Sequence, residues 1–231
     1  QVTLSLDSSG AHLHRRGYRL ATAKAPLRET LAAAVLLASG WDGRSPLLDP
    51  FCGSGTILIE AALLARRMAP GKHRRFAFQN WVNYDPRLWK NLFEESSAQE
   101  IPCPAVVQGS DRDAGAVQSA QANAERAGVA ADLQLSCLAV SALSAPAGPG
   151  WVVTNPPYGQ RISSTADLRN LYARFGQVLR EQCPGWQAAI LCNSEALVRQ
   201  TRLAYEKGIP FVNGGLPVHL TRARVPQNSN S

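Results

Sequence analysis

Short apolar runs that stop at a polar or turn-forming residue, each followed by a helical stretch, recur along most of this chain. Pro46-Leu47-Leu48-Asp49 leads into a glycine-rich turn and a helix over about 57–68. Ala105 to Ser110 precedes a helix over 114–127 that Gly128 ends. Asp132 to Cys137 alternates as a third strand. Trp151-Val152-Val153-Thr154 is a fourth, stopped by Pro156-Pro157, which cannot continue a central strand. A helix over about 167–182 leads to a strand over 188–192 and then a helix near 195–205. Two late strands, near 210–213 and 218–223, flank Gly214-Gly215 as a closing hairpin would. A helix around 32–38, with Pro26 near its start, precedes them all. Strand–helix units of this length imply an α/β fold with a mostly parallel sheet covered by helices on both faces. Ligands of such sheets sit beyond the carboxyl ends of the strands, near the point where strand order reverses. Functional residues should therefore follow strands directly.

A chain of 231 residues holds one large domain or two small ones. Its net charge of +7 favours a polyanionic partner, nucleic acid first. No apolar run is long enough to span a bilayer and no signal peptide opens the chain, so a cytoplasmic protein is expected. Cys52, Cys103, Cys137, Cys183 and Cys192 are odd in number and scattered without a C-x-x-C pair. That pattern argues against both a disulfide framework and a zinc site. Val2-Thr3-Leu4-Ser5-Leu6 alternates like a strand, and the chain opens on it without methionine, which suggests a larger protein. Residues 1–24 are expected to be a lead-in from a preceding domain, 25–226 the main domain, and 227–231 a loose tail. The stretch over 70–104 breaks the strand–helix rhythm and carries Phe76, Phe78, Trp81, Trp89 and Phe93. It reads as an insertion with its own structure, on the sheet edge or facing substrate.

Three clusters end strands. In Asp49-Pro50-Phe51-Cys52-Gly53-Ser54-Gly55-Thr56, the glycines allow a sharp turn and close ligand approach, and a helix amino terminus follows. The run lacks the third glycine of a dinucleotide fingerprint and the G-K-[ST] of a phosphate loop, and a bare G-x-G is equally a plain turn. Gly109-Ser110-Asp111 places a carboxylate where it can accept bonds from a ribose diol. Asp111 and Asp113 also compete as caps of the next helix. In Asn155-Pro156-Pro157-Tyr158, two prolines lock the backbone so that the Asn155 side chain and the Pro156 carbonyl can both accept from one NH2 group. Tyr158 could stack on a flipped-out base; the alternative is a rigid turn with a buried tyrosine.

Taken together, these clusters resemble the class I S-adenosylmethionine methyltransferases of the amino-group type. More narrowly, the chain resembles the THUMP-associated RNA guanine-N2 methyltransferases, including the bacterial type that modifies 23S rRNA. The matching pieces are residues 13–19, Ala25-Pro26-Leu27-Arg28-Glu29-Thr30, the D-P-F-C-G-S-G-T run, Phe76-Ala77-Phe78 with Trp81, and N-P-P-Y-G. The resemblance implies a Rossmann-like, seven-stranded sheet ending in an antiparallel hairpin. It implies S-adenosyl-L-methionine held by Asp49, Phe51, Gly53, Gly55, Thr56, Asp111 and Asn155. It makes Asn155, Pro156 and Tyr158 the catalytic grip and suggests a preceding THUMP-type RNA-binding domain. Many relatives carry an acid after the third strand that holds the cofactor's adenine. Here the segment is Leu138-Ala139-Val140-Ser141, which leaves backbone groups or Ser141 for that task.

No metal is expected. Cys52 reads as a small lining residue and not as a nucleophile, since no activating base accompanies it. His12 and His14, alternating on a strand, lack a third partner for a metal. Beside them, Arg15 and Arg16 are candidate RNA contacts, as are Arg74 and Arg75 at the entrance to the aromatic insertion. A solvated basic face is the plain alternative. Two rival functions stay open: an N6-adenine DNA methyltransferase, because N-P-P-Y serves both bases, and a non-catalytic RNA-binding module with a degenerate cofactor site.

Overall fold

The computed structural model describes residues 2–19, 27–158 and 165–227. Expectations placed on Pro26, on Gly159 of the N-P-P-Y-G run and on the tail beyond Gln227 lie outside them. The described residues form a seven-stranded sheet of order β3-β2-β1-β4-β5-β7-β6. Its strands are β1 Leu47–Asp49, β2 Val107–Asp111, β3 Leu133–Cys137, β4 Trp151–Thr154, β5 Gln187–Cys192, β6 Ile209–Asn213 and β7 Leu216–Arg224. The first five pair in parallel, while β7 runs antiparallel between β5 and β6. Strand order reverses between β1 and β4, which puts the ligand crevice of such a sheet at their carboxyl ends.

The helices are α1 Glu29–Ser39, α2 Thr56–Ala65, α3 Pro86–Ala98, α4 Ala114–Ala127, α5 Thr165–Gln182 and α6 Glu195–Arg199. Nine of the ten residues of α2 are buried, so this helix is enclosed on every side, with Thr56 and Glu60 its only polar side chains. Capping residues set the ends of α4. The Asp113 carboxylate accepts from the amides of Gly115 and Ala116, and Gly128 closes the helix at φ 72°. Of the two aspartates that could cap this helix, Asp113 takes the role and Asp111 is left for other partners. The β6–β7 turn uses Gly214 and Gly215 at φ 58° and 84°, the positive pair a two-residue hairpin requires.

Three expectations are corrected. The helix near 195–205 stops at Arg199, because tertiary contacts hold the chain beyond it. Arg180 donates to the Thr201 carbonyl at 2.6 Å, Arg202 adopts φ 57°, and Tyr205 bridges to Ala223 on the sheet. The alternation Val2-Leu4-Leu6 forms no strand; these side chains are almost fully exposed and no described strand pairs with them. A strand needs a neighbouring ladder, which alternation cannot supply by itself. His12 and His14 lie in turns, with their rings stacked 5.5 Å apart.

Residues 70–104 hold one 3-10 turn and one α-helix. A 3-10 turn, Ala77–Asn80, and α3 bring Phe76, Phe78 and Trp89 together with ring centroids 5.2–5.7 Å apart. This satellite cluster is tied to the amino-terminal segment. Phe78 donates its amide to the Ser8 carbonyl at 3.1 Å, and the Arg74 guanidinium donates to the carbonyls of Ser9, Ala11 and His12.

Against the core side of α5, a methyl group built on Gly176 would fall inside the Thr201 carbonyl. Helix and turn are both fixed here, so Gly176→Ala forces them apart. We expect a loss of about 3 kcal/mol in unfolding free energy and a fall of roughly 6–12 °C in thermal midpoint, measured by calorimetry.

Candidate functional site

At the end of β1 the chain turns through Pro50–Gly55 into α2. Gly53 and Gly55 take φ 52° and 80°, a backbone that ordinary side chains resist. A Cβ on Gly55 would also lie 2.9 Å from that of Ala120, so the turn sits directly on α4. The Gly53 amide donates to Asp111 Oδ2 at 3.0 Å, which ties the turn to the end of β2. Asp111 Oδ1 accepts from the Asp113 amide at 3.0 Å.

Asp49 lies between the two halves of the sheet and is 2% exposed. Its Oδ1 accepts from the Thr154 hydroxyl of β4 at 2.6 Å and from the Phe51 amide at 3.1 Å. Burial pushes its carboxyl up to about 7, with the nearby Asp111 charge adding and the two hydrogen bonds opposing. Burial also pushes the Cys52 thiol up, and the Asp49 and Asp111 carboxylates push it further from the thiolate a nucleophile requires.

Past β4, Asn155 is half-buried and its Oδ1 is fully enclosed without a hydrogen-bond partner. The turn that carries it is held from behind. Tyr172 of α5 donates its hydroxyl to the Pro157 carbonyl at 3.3 Å, and Asn213 of β6 donates to the Tyr158 hydroxyl at 3.0 Å.

These strand ends surround one cavity of about 580 Å³. Of the residues singled out from sequence, Asp49, Phe51, Gly53, Thr56, Asp111 and Asn155 all line it, and so does Ser141. Gly55 and Pro156 are not among the lining residues, although each sits between two that are. Tyr158 does not offer a face to a base: its ring is 3% exposed and belongs to the core, where burial of an aromatic ring is favourable. Leu27, Val140 and Arg174 also line the cavity. Sequence reasoning missed Arg174 because an arginine on an amphipathic helix looks like any solvated charge.

The basic residues divide. Arg15 and Arg75 are exposed. Arg16 is not available as an RNA contact, since it pairs at 3.3 Å with Glu60, which is 2% exposed. Arg74 is likewise occupied by three backbone carbonyls and lies 4.7 Å over the Phe76 ring. The buried Glu60 carboxylate claims Arg16, because leaving it without a partner would be costly. No group of three potential metal ligands occurs among the described residues, and no described helix is long and apolar enough to cross a membrane.

The cavity's chemistry fits a nucleoside carrying a positive charge. Two carboxylates stand at strand ends, a glycine turn leaves room beside them, and Val140 and Leu27 give apolar walls. The family model described as "RMKL-like, methyltransferase domain" matches residues 16–222. The Ribosomal RNA large subunit methyltransferase K/L of Shewanella baltica is 41% identical over 221 residues, covering 93% of this chain. The chain spans 31% of that protein's length. Among solved structures, SMU.472, a putative methyltransferase complexed with SAH, is 30% identical with a TM-score of 0.87. It aligns over 97% of this chain and 58% of its own. A predicted N6-adenine-specific DNA methylase from Listeria monocytogenes is 34% identical with a TM-score of 0.82, over 93% of this chain and 56% of its own. The fold is that of the Rossmann-like S-adenosylmethionine methyltransferases, and the chain belongs to the RMKL-like methyltransferase domain family.

Proposed function

We propose that this domain transfers a methyl group from S-adenosyl-L-methionine to an exocyclic amino group of a base in RNA, specifically guanine N2 in 23S rRNA. The observation that carries the reading is Asn155 Oδ1, an acceptor without a donor on a residue that lines a cavity with three carboxylates, Asp49, Asp111 and Asp113. A buried acceptor without a partner costs about 1–3 kcal/mol, which an amino group donating to it would recover.

The cofactor supplies, when bound, a sulfonium methyl group open to in-line displacement. Asp111 would accept from the ribose hydroxyls, with Gly53 leaving room for close approach. Asp49 is the carboxylate that would favour a cationic ligand. Val140 and Ser141 would border the adenine, in the absence of an acid after β3. Asn155 and the Pro156 carbonyl would hold the two N–H groups of the amine. That grip favours a pyramidal nitrogen, frees its lone pair from the ring and aims it at the methyl group. The extra proton then leaves the methylated nitrogen for water.

Several observations support the cofactor and the RNA substrate. SMU.472 is complexed with SAH, and the Shewanella baltica relative is named for the large-subunit rRNA. The net charge of +7 suits a polyanion. Arg15 and Arg75 remain as exposed candidate phosphate contacts. We assign the further hold on RNA to a THUMP-type domain in the longer protein, since the relatives extend well beyond the matched region. A second reading, N6-adenine methylation of DNA, is favoured by the name of the Listeria relative.

Two outcomes check this reading. Asn155→Ala should lower methyl transfer at least about 100-fold while cofactor binding persists. Labelled transfer into unmodified 23S rRNA and into adenine-containing DNA, followed by nucleoside analysis, reads both rate and base. Transfer by the variant at the wild-type rate would overturn the amine grip, and labelled N6-methyladenine would favour the second reading.

The second outcome concerns pH. Asp49 titrates in the folded protein at about 7, above its ordinary value of 3.8. Between these values the unfolded chain holds fewer protons, so Asp49 lowers stability as pH rises. Affinity for the cationic cofactor runs the other way: it strengthens as pH rises through about 7 and Asp49 ionises. Calorimetric titration at pH 6 and pH 8, in buffers of different ionisation heat, should show proton release on binding. Asp49→Asn should flatten the dependence.

A further inference from the structure

Arg19 follows the basic pair Arg15 and Arg16 closely in sequence, yet its side chain is only 11% exposed. One terminal nitrogen, Nη2, donates to the Leu27 carbonyl at 2.8 Å and to the Thr56 hydroxyl at 2.7 Å. Leu27 and Thr56 both line the cavity, and Thr56 is the first residue of α2 after the glycine turn. Glu29, 5% exposed, lies 3.8 Å from Arg19 Nε and balances the charge.

The turn is held from a second side. Arg126 of α4 donates to the Tyr18 carbonyl at 2.6 Å and to Asn123 Oδ1 at 2.5 Å. Asn123, 3% exposed, donates in turn to the Ser54 carbonyl at 3.0 Å. The strap at residues 16–19 is itself anchored, because Arg16 and the Tyr18 hydroxyl both bond to the buried Glu60 carboxylate.

A turn built on two positive-φ glycines loses more conformational freedom on ordering than any other kind. Bonds that hold it in one shape beforehand reduce the entropy lost when a ligand binds. We propose that Arg19 is a positioning residue for the cofactor turn: it touches neither cofactor nor substrate, and it fixes the spacing between the Leu27 wall and the start of α2. The strap is thereby part of the cofactor site and not a simple connection into the domain. Both hydrogen bonds come from the one nitrogen, while Nε lies beside Glu29 without a hydrogen bond, so the guanidinium acts here through its reach and its charge. This inference rests on the S-adenosylmethionine reading above.

Calorimetric titration with SAH tests it, using wild type, Arg19→Met, Thr56→Val and their combination. Thr56→Val removes the acceptor while leaving the Arg19–Glu29 pair, so it serves if Arg19→Met fails to fold. Val225→Ala, at the opposite end of the sheet, controls for lost stability. Arg19→Met should weaken SAH binding about tenfold. Thr56→Val should weaken it less, and the combination should equal Arg19→Met, because both break one link. Val225→Ala should bind as wild type despite a lower melting temperature. Affinities of both single variants within about twofold of wild type would overturn the proposal, as would a loss in Val225→Ala as large as in Arg19→Met. Wild-type protein that binds neither SAM nor SAH would remove the cofactor reading, and the role of Arg19 with it.

Discussion

The hydrogen bond between Asp49 and Thr154 joins the two halves of the sheet at the place where strand order reverses. β1 has β2 on one side and β4 on the other, and its last residue is a carboxylate with almost no access to solvent. Such a group is tolerated because a hydroxyl from one neighbour and an amide from its own turn satisfy one of its oxygens. The glycine turn, the Asp111 carboxylate at the end of β2 and the Asn155 turn lie around that carboxylate and line one cavity with it. Buried and only partly satisfied, it keeps a latent preference for a cation.

Around this centre the chain uses polar side chains to fix backbone where the site needs rigidity. Tyr172 and Asn213 hold the proline turn from behind, and Asn123 with Arg19 holds the glycine turn. Of these four only Arg19 falls in a run singled out from sequence, and they come from a helix, a hairpin strand, a second helix and an amino-terminal strap. The cavity is thus defined by short strand-end sequences but kept in shape by residues distributed over most of the fold. The satellite aromatic cluster stands apart from it, tied to residues 8–12 and contributing none of the cavity's lining.

Much of the architecture was legible in the sequence because parallel strands leave short, fully apolar runs, and caps such as Asp113 and Gly128 mark helix ends locally. The strand-end rule points to Asp49, Gly53, Asp111 and Asn155, which line one cavity. What escaped was whatever depended on a distant partner. Nothing near Arg16 reveals that Glu60 waits on α2, 44 residues away, and nothing in the pattern beyond Arg199 shows that α5 will hold the Thr201 carbonyl. Tyr158 was ambiguous for the same reason: whether a ring stacks on a ligand or fills a core depends on Asn213 and its neighbours. The alternation at Val2–Leu6 encodes a face, not a partner, and without a partner it remains irregular.

The Asp49–Thr154 contact spans 105 positions of sequence. Closing a loop of that size comes late, after local helices and hairpins have formed. During synthesis, the carboxylate and the glycine turn therefore leave the ribosome well before the strand and proline turn that complete the cavity. A nascent chain ending short of Thr154 carries half a crevice and nothing to enclose a ligand, so capture of the small molecule can begin only once the fourth strand has been made and inserted.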